Sequence, residues 1–242
     1  MSDRERNLQA PPSGRGKGAQ QKNEHFLTGK PRPVGGELHI SVGGSRGILM
    51  IISAPSGAGK TSISREILRM FPDIRFSVSS TTRPSRPGEV NGKDYHFISE
   101  EAFREQIAQG EFVEWVENYG RLYGTPKKTM DAYLETGQDL ILDIEPRGAK
   151  AIREHYPQGV FVFVLPPSLS ELKARLAKRG ESAAVMERRL QASLDEIREA
   201  LWYDYIIFNE RLNDAVDQFR AIYIAEKSRR DRFQEKITSF FK

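Results

Sequence analysis

The sequence contains no cysteine, so neither disulfide bonds nor cysteine-ligated metal sites are available to it. It has no apolar run that approaches the roughly 18 residues needed to cross a bilayer. The amino terminus has no apolar stretch typical of a secretory signal, and Asp3 and Glu5 argue against an organellar transit peptide. These absences favour a cytoplasmic protein without a membrane partner.

The excess of positive charge is confined to the amino-terminal residues 1–46. Eight basic and four acidic residues in that stretch account for the net charge of +4, because the other 29 basic and 29 acidic residues cancel. The stretch is rich in Gly, Pro, Gln and Lys, a composition typical of disordered extensions. A basic arm could contact RNA or a membrane surface. An extension without a specific role is the favoured interpretation, and no nucleic-acid partner is predicted.

Apolar, strand-like runs alternate with helical stretches along the rest of the chain. This alternation predicts an α/β fold in which helices cover both faces of a parallel sheet. Shorter strand candidates with alternating polarity interrupt the pattern and predict a small insert at about residues 80–127. The core runs span residues 48–52, 139–142, 160–165 and 205–208, and the insert candidates span 94–98, 111–116 and 119–124.

A Gly-rich segment, S-A-P-S-G-A-G-K-T-S at residues 53–62, follows the first apolar run directly. In the order strand, loop and helix, the backbone N–H groups and the helix N-terminus bind phosphate. Lys60 would reach the β- and γ-phosphates of a nucleoside triphosphate, and the Thr61 hydroxyl would ligate Mg²⁺. The predicted ATP-binding residues of this loop are Ala54, Pro55, Ser56, Gly57, Ala58, Gly59, Lys60 and Thr61.

This loop departs from the usual pattern G-x-x-x-x-G-K-[ST] at its first position, where the chain has Ala54. The alternative is a tight Gly-rich connection that binds nothing. Because Gly57, Gly59 and Lys60 are all in register after a strand, phosphate binding is favoured.

The segment 76–97, F-S-V-S-S-T-T-R-P-S-R-P-G-E-V-N-G-K-D-Y-H-F, extends the pattern beyond the loop. Together with A-P-S-G-A-G-K-T it resembles the nucleoside monophosphate kinases of the guanylate kinase type. Further matching stretches are F-V-E-W at 112–115, Y-G-T-P at 123–126, L-D-I-E at 142–145, L-P-P-S at 165–168, R-L-A-K-R-G at 175–180 and I-I-F-N at 206–209.

The resemblance covers about residues 47–227 and implies a P-loop core that carries two smaller parts. The predicted insert would bind GMP, and a helical lid at about residues 175–190 would close over ATP. The implied reaction is a direct in-line transfer of a phosphoryl group from ATP to GMP, and also to dGMP, with Mg²⁺. Residues 228–242 would form a carboxyl-terminal helical tail.

The resemblance also implies how the phosphate of GMP is held. Arg83, Arg86 and Tyr95 would bind it, and Tyr123 lies at the family position for a further phosphate-contacting hydroxyl. Planar guanidinium groups suit phosphate oxygens better than a flexible ammonium does. For an isolated Arg-Pro-x-Arg the alternative is a basic, solvated loop.

Base selection would depend on Glu114, with Ser79 and Thr125, by the same resemblance. One carboxylate can accept hydrogen bonds from both the ring N–H and the amino group of guanine, and a hydroxyl can donate to its carbonyl. Glu145 would also accept from the amino group, although the family more often has Asp there. Arg147 replaces the usual Gln.

The remaining implied site residues come from the core and the lid. Asp143 would orient Mg²⁺-bound water, with a helix N-cap as its alternative. Arg175, Arg179 and Arg189 would contribute catalytic cations from the lid. Arg188 competes with Arg189, because the lid segment is slightly shorter than in the family. Asn209 would lie close to adenine, or else end its strand as a turn residue.

Two other functions and two structural questions stay open at this level. Guanylate-kinase-like scaffold domains bind peptides without catalysis, but they tend to lose residues that this chain retains, such as Lys60. A kinase for another phosphorylated acceptor is disfavoured by the guanine-reading set. A homo-oligomer is possible. Residues 229–242 are a candidate helix whose Ile237, Phe240 and Phe241 pack inward or across a subunit contact.

Overall fold

The computed structural model describes residues 46–118, 120–178 and 183–242. Predictions that concern residues 1–45 and Arg179 therefore lie outside the described residues. The strands are β1 (Leu49–Ser53), β2 (Arg75–Phe76), β3 (Ser80–Thr81), β4 (His96–Phe97), β5 (Phe112–Asn118), β6 (Arg121–Pro126), β7 (Leu140–Asp143), β8 (Val160–Leu165) and β9 (Tyr205–Phe208). The helices are α1 (Lys60–Met70), α2 (Glu100–Ala108), α3 (Lys127–Glu135), α4 (Pro146–His155), α5 (Leu169–Ala177), α6 (Ala183–Arg198), α7 (Leu212–Lys227) and α8 (Gln234–Ser239).

The larger of two sheets is wholly parallel, with strand order β2-β7-β1-β8-β9. Strand β1 lies at its centre, where Met50 pairs with Ile141 on one side and Val160 on the other. All five residues of β1 are buried, as expected for a strand covered on both faces. The predicted α/β fold with a helix-flanked parallel sheet is therefore confirmed.

Alternating side chains of β1 supply the two hydrophobic layers of the core. Met50 and Ile52 pack in one layer with apolar side chains of α1 and α7. Leu49 and Ile51 pack in the other layer with side chains of α3 and α4. This period of two is the reason why a short run of consecutive apolar residues can serve both layers.

The smaller sheet is mixed, with strand order β4-β3-β6-β5, and is built from residues 80–126. Strands β5 and β6 pair antiparallel, and the register shifts between Phe112 and Glu114. After that irregularity Glu114 pairs with Thr125, which places their side chains next to each other across the two strands. The local distortion thus brings a carboxyl group and a hydroxyl group together.

The carboxyl ends of the parallel strands meet at one edge of the larger sheet. Strand β1 leads into the Gly-rich loop, β7 ends at Asp143, and Asn209 follows β9. In open parallel sheets this edge is where ligands bind. The fold therefore gathers three separately predicted segments at one place.

The carboxyl-terminal segment contradicts one of its two predictions. Helix α8 ends at Ser239, and Ile237, Phe240 and Phe241 are 43%, 79% and 83% exposed. Inward packing of these side chains is therefore wrong, whereas a subunit contact stays a prediction. Among the helices of the described ranges, none is long and apolar enough to cross a membrane.

Candidate active site

The Gly-rich loop presents backbone donors at the start of α1. Gly57 and Gly59 have φ angles of 92° and 96°, which favour glycine over residues with a Cβ. Gly59 is the N-cap of α1, and no side chain caps the helix there. The first backbone N–H groups of a helix have no partner within the helix, so an uncapped start can receive an anion.

Asn209 and Arg175 tie this loop to the rest of the core. The Asn209 Nδ2 group donates to the carbonyl of Ala58 at 2.7 Å, and Arg175 Nη2 donates to the carbonyl of Asn209 at 3.1 Å. Glu171 accepts from Arg175 Nε at 2.9 Å. The structure thus places Arg175 and Asn209 at the phosphate loop, while a contact between Asn209 and adenine stays a prediction.

Lys60 is paired with Asp143 at the centre of the site. Lys60 Nζ lies 2.5 Å from Asp143 Oδ1 and also donates to the carbonyl of Ile144 at 3.2 Å. Both side chains are mostly buried, with 17% and 18% of their surface exposed. The N-cap of α4 is Glu145, so the N-cap alternative for Asp143 is wrong. Asp143 instead forms an ion pair with Lys60, the residue predicted from the sequence to bind phosphate.

A cavity of about 270 Å³ connects Lys60 with the smaller sheet. It brings together residues that the sequence predicted from five separate segments. The described lining residues are Lys60, Ser79, Arg83, Arg86, Glu89, Tyr95, Glu114, Val116, Tyr123, Gly124, Asp143, Ile144, Glu145 and Gly148. Thr125 lies directly behind this lining, bonded to Glu114.

Glu114 offers this cavity an acceptor with no partner. Its side chain is only 7% exposed, and Oε1 accepts a hydrogen bond from the Thr125 hydroxyl at 2.6 Å. Oε2 is buried without a hydrogen-bond partner among the described residues. A Cβ at Gly148 would lie 2.8 Å from Oε2, so this glycine keeps the space beside the carboxylate open. Burial, with a smaller contribution from Glu145, raises the pKa of Glu114 to about 7.

This raised pKa predicts that Glu114→Gln stabilises the unliganded protein in a pH-dependent way. Because the folded state disfavours the ionised form, Glu114 lowers stability as pH rises from about 4.5 to about 7. The variant should gain up to about 3 kcal/mol at pH 8 and lose that gain toward pH 4.5. Urea unfolding at the two pH values measures the difference. Glu117→Gln, an exposed position on the same strand, should show no such trend, and a pH-independent Glu114→Gln effect would contradict the burial argument.

The cationic side of the cavity is organised around Arg83. Its guanidinium carbon lies 5.3 Å from the centre of the Tyr95 ring and 5.6 Å from that of Phe97. The rings of Tyr95 and Tyr123 meet edge to face at 6.1 Å. Arg86 is exposed beside them. The four residues predicted to bind the acceptor phosphate thus lie in one group.

The lid is described in part. Arg175 lies on α5, Arg179 is outside the described residues, and α6 carries Arg188, which is exposed, and Arg189, which is partly buried. That Arg189, with Arg188 as its competitor, contributes the catalytic cation from α6 stays a prediction. Arg147 is exposed and does not line the cavity.

Two acidic residues of the site were missed by sequence reasoning. Glu89 lines the cavity and binds Arg83, and its position within the Arg-rich loop was the available signal. Glu196 on α6 extends to the phosphate loop. Burial raises the pKa of the Glu196 carboxyl to about 7, although the hydrogen bond from the Ser56 N–H and the charge of Lys60 both act to lower it. Its Oε2 is buried without a hydrogen-bond partner among the described residues. No local sequence signal distinguishes Glu196 from other charged positions of its helix.

A larger cavity, of about 640 Å³, lies at the opposite edge of the parallel sheet. It is lined by residues at the starts of strands, such as Leu49, Val160 and Tyr205, and by both basic and acidic side chains. None of the predicted site residues in the described ranges lines it. The candidate active site is therefore the smaller cavity at the carboxyl edge.

Comparisons with known proteins all lead to one family. The guanylate kinase family model matches residues 46–226. The chain is 58% identical over 193 residues to the guanylate kinase of Syntrophus aciditrophicus (strain SB), which covers 80% of this chain and 93% of that protein. It is 50% identical over 196 residues to the guanylate kinase of Geobacter metallireducens, covering 81% and 97% of the two chains. The crystal structure of guanylate kinase from Anaplasma phagocytophilum superposes with a TM-score of 0.69 at 32% identity, covering 83% of this chain and 98% of that one.

Proposed function

The chain belongs to the guanylate kinase family and phosphorylates GMP with ATP, and we propose that the two nucleotides meet in line at the carboxyl edge of the central sheet. The observation that carries this proposal is that one cavity is lined both by Lys60 of the phosphate loop and by Glu114, whose Oε2 has no hydrogen-bond partner among the described residues. A donor-phosphate site and a base-reading site therefore share one space.

The phosphate loop and the start of α1 form the donor site. Backbone N–H groups of residues 56–61 would surround the ATP phosphates, and Lys60 would exchange Asp143 for the β- and γ-phosphate oxygens. Arg175, which already contacts the loop, would add a second cation. Arg179 and Arg189 would approach from the lid.

The donor set beside the loop fits Mg²⁺. Within the described ranges no group of three or more potential His, Cys, Asp or Glu ligands occurs. Mg²⁺ bound with ATP keeps several waters and takes only one or two protein ligands in addition to phosphate oxygens. The Thr61 hydroxyl and the Asp143 carboxylate meet that need. The ion would supply neutralisation of phosphate charge.

The smaller sheet forms the acceptor site. Glu114 would accept from the ring N–H and amino group of guanine, and the Thr125 hydroxyl holds that carboxylate in place. Ser79 and Glu145 also line the cavity and would contact the base. Arg83, Arg86, Tyr95 and Tyr123 would hold the phosphate. None of these assignments involves the 2′-hydroxyl, so dGMP would be accepted as well.

Transfer needs positioning and charge neutralisation rather than a general base. The phosphate of GMP is already an anion, so the barrier lies in bringing two anions together. Lys60 and the arginines lower that barrier by fixing both nucleotides and offsetting their charge. Closure of the lid would keep water, the competing acceptor, away from the γ-phosphate.

A parallel measurement of ADP formation with GMP, dGMP, AMP, CMP and UMP tests the proposal. We expect efficient turnover with GMP and dGMP, slow turnover with the other three, and loss of activity when EDTA removes Mg²⁺. Peptide binding without turnover would favour the scaffold alternative. Faster turnover with AMP than with GMP would refute the role of Glu114 in base selection. A cytoplasmic location and a homo-oligomeric state stay predictions.

A further inference from the structure

Glu89 accepts hydrogen bonds from both arginines of the acceptor site, Arg83 and Arg86. Its Oε2 accepts from Arg83 Nη1 at 3.0 Å and its Oε1 accepts from Arg83 Nη2 at 2.8 Å. The backbone N–H of Arg86 also donates to Oε2, at 2.7 Å. The side chains of Arg83 and Glu89 are 14% and 20% exposed, so this pair is largely removed from water. One carboxylate therefore fixes both predicted phosphate-binding arginines, the first by its side chain and the second by its backbone.

The N–H groups of Arg83 that are not bonded to a described residue determine how Arg83 can bind a phosphate. A guanidinium carries five N–H donors in a rigid plane. Nη1 donates to the carbonyl of Pro84 at 2.7 Å and to Glu89, and one hydrogen of Nη2 donates to Glu89. No described residue accepts from Nε or from the second hydrogen of Nη2. These two N–H groups lie along the same edge of the guanidinium, and such an edge can donate two parallel bonds to a phosphate.

We infer that Glu89 is a positioning residue for GMP binding. Glu89 holds the Nη1–Nη2 end of the Arg83 guanidinium, so that the Nε–Nη2 edge of Arg83 is oriented to bind the nucleotide phosphate. This inference rests on the proposed function of the Arg83 loop. The guanidinium lies over the rings of Tyr95 and Phe97, which restrict its tilt, while the two bonds to Glu89 fix its rotation. The hydrogen bond from Arg83 also holds the pKa of Glu89 below its usual range, so the lock persists at neutral pH. Pre-ordering of a long side chain lowers the entropy that binding would otherwise lose.

The opposite role, in which Glu89 merely fills the phosphate position and is displaced, fits the contacts less well. Displacement would break both bonds to Arg83 and the bond to the Arg86 N–H. The free edge of Arg83 makes that loss unnecessary, because the phosphate has donors of its own. The two roles predict opposite effects of removing the carboxylate charge.

The experiment compares binding of GMP and guanosine by calorimetry to the wild type and to Glu89→Gln. We expect the Kd for GMP to rise about tenfold, because a bidentate charge-assisted pair is lost. The Kd for guanosine, which has the base but no phosphate, and the KM for ATP should change less than about twofold. Glu89→Asp keeps the charge, but its side chain is one methylene shorter and draws the carboxylate back from Arg83, so it should weaken GMP binding too. Glu100→Gln, which removes an exposed carboxylate paired with Arg104, is the matched control and should bind GMP normally.

Arg83→Ala separates this inference from the proposed function. In that background, Glu89→Gln should weaken GMP binding by no more than about twofold further, because Glu89 acts through Arg83. Unchanged or tighter GMP binding by Glu89→Gln, or an equal loss for guanosine, overturns the inference alone if Arg83→Ala binds GMP weakly. If Arg83→Ala binds GMP as the wild type does, the assignment of Arg83 is wrong and the inference falls with it.

Discussion

Replacing Glu114 with Gln is expected to lower kcat/KM for GMP roughly 10³-fold, because a site built around hydrogen bonds rejects a mismatched partner strongly. The carboxylate can accept from both N–H donors of guanine, whereas the glutamine amide has one acceptor and would turn its own NH₂ toward a donor. The loss should be specific to the base: activity with AMP, whose ring nitrogen is an acceptor, should fall little or rise. Coupled measurement of ADP formation with both nucleotides gives the ratio directly.

The pH profile offers an independent check on this role. With a pKa of about 7 before the nucleotide binds, Glu114 is protonated in part of the molecules at neutral pH. Only the ionised form accepts both bonds, so the ratio of wild-type to variant kcat/KM should rise from pH 6 to pH 8. Titration of the GMP phosphate affects both proteins and cancels in that ratio. Glu117→Gln should behave as the wild type throughout, and a GMP preference retained by Glu114→Gln would exclude Glu114 as the base-reading group.

The parts of the molecule that depend on local order could be predicted from the sequence. The runs 48–52 and 205–208 read correctly as strands, because buried parallel strands are short, apolar and bounded by turn residues. The phosphate loop was predictable because its glycines, its lysine and the next helix are contiguous. Collection of Lys60, Arg83 and Glu114 in one cavity followed from family resemblance rather than from spacing.

The contacts that cross between elements could not be predicted in the same way. The hydrogen bond between Thr125 and Glu114 depends on the register shift in β5. The residue types from Phe112 to Glu114 do not predict that shift. Glu196 reaches the loop from a helix far along the chain, so its role depends on how α6 packs. The last segment illustrates the converse error, since its apolar side chains allow both inward packing and a subunit contact, and the exposed Phe240 and Phe241 contradict the first.

Replacing Lys60 with Met is expected to lower kcat by about 10²- to 10³-fold at saturating ATP and GMP. The lysine ammonium is the cation proposed to bind the β- and γ-phosphates, and methionine keeps the length of the side chain without the charge. Nucleotide binding should suffer less than kcat, because the backbone donors of the loop and the start of α1 remain. Steady-state kinetics with each nucleotide varied in turn separates the two effects.

The pair with Asp143 makes the design of this experiment important. Loss of Lys60 leaves a mostly buried carboxylate without its cation, so part of any loss of activity could come from a disturbed fold. The double variant Lys60→Met with Asp143→Asn removes both charges and should restore thermal stability without restoring kcat. Lys173→Met, at an exposed position on α5, should match the wild type in both respects. Recovery of kcat in the double variant would show that Lys60 serves the fold rather than phosphoryl transfer, because a neutral pair offers the transferring phosphate no compensating charge.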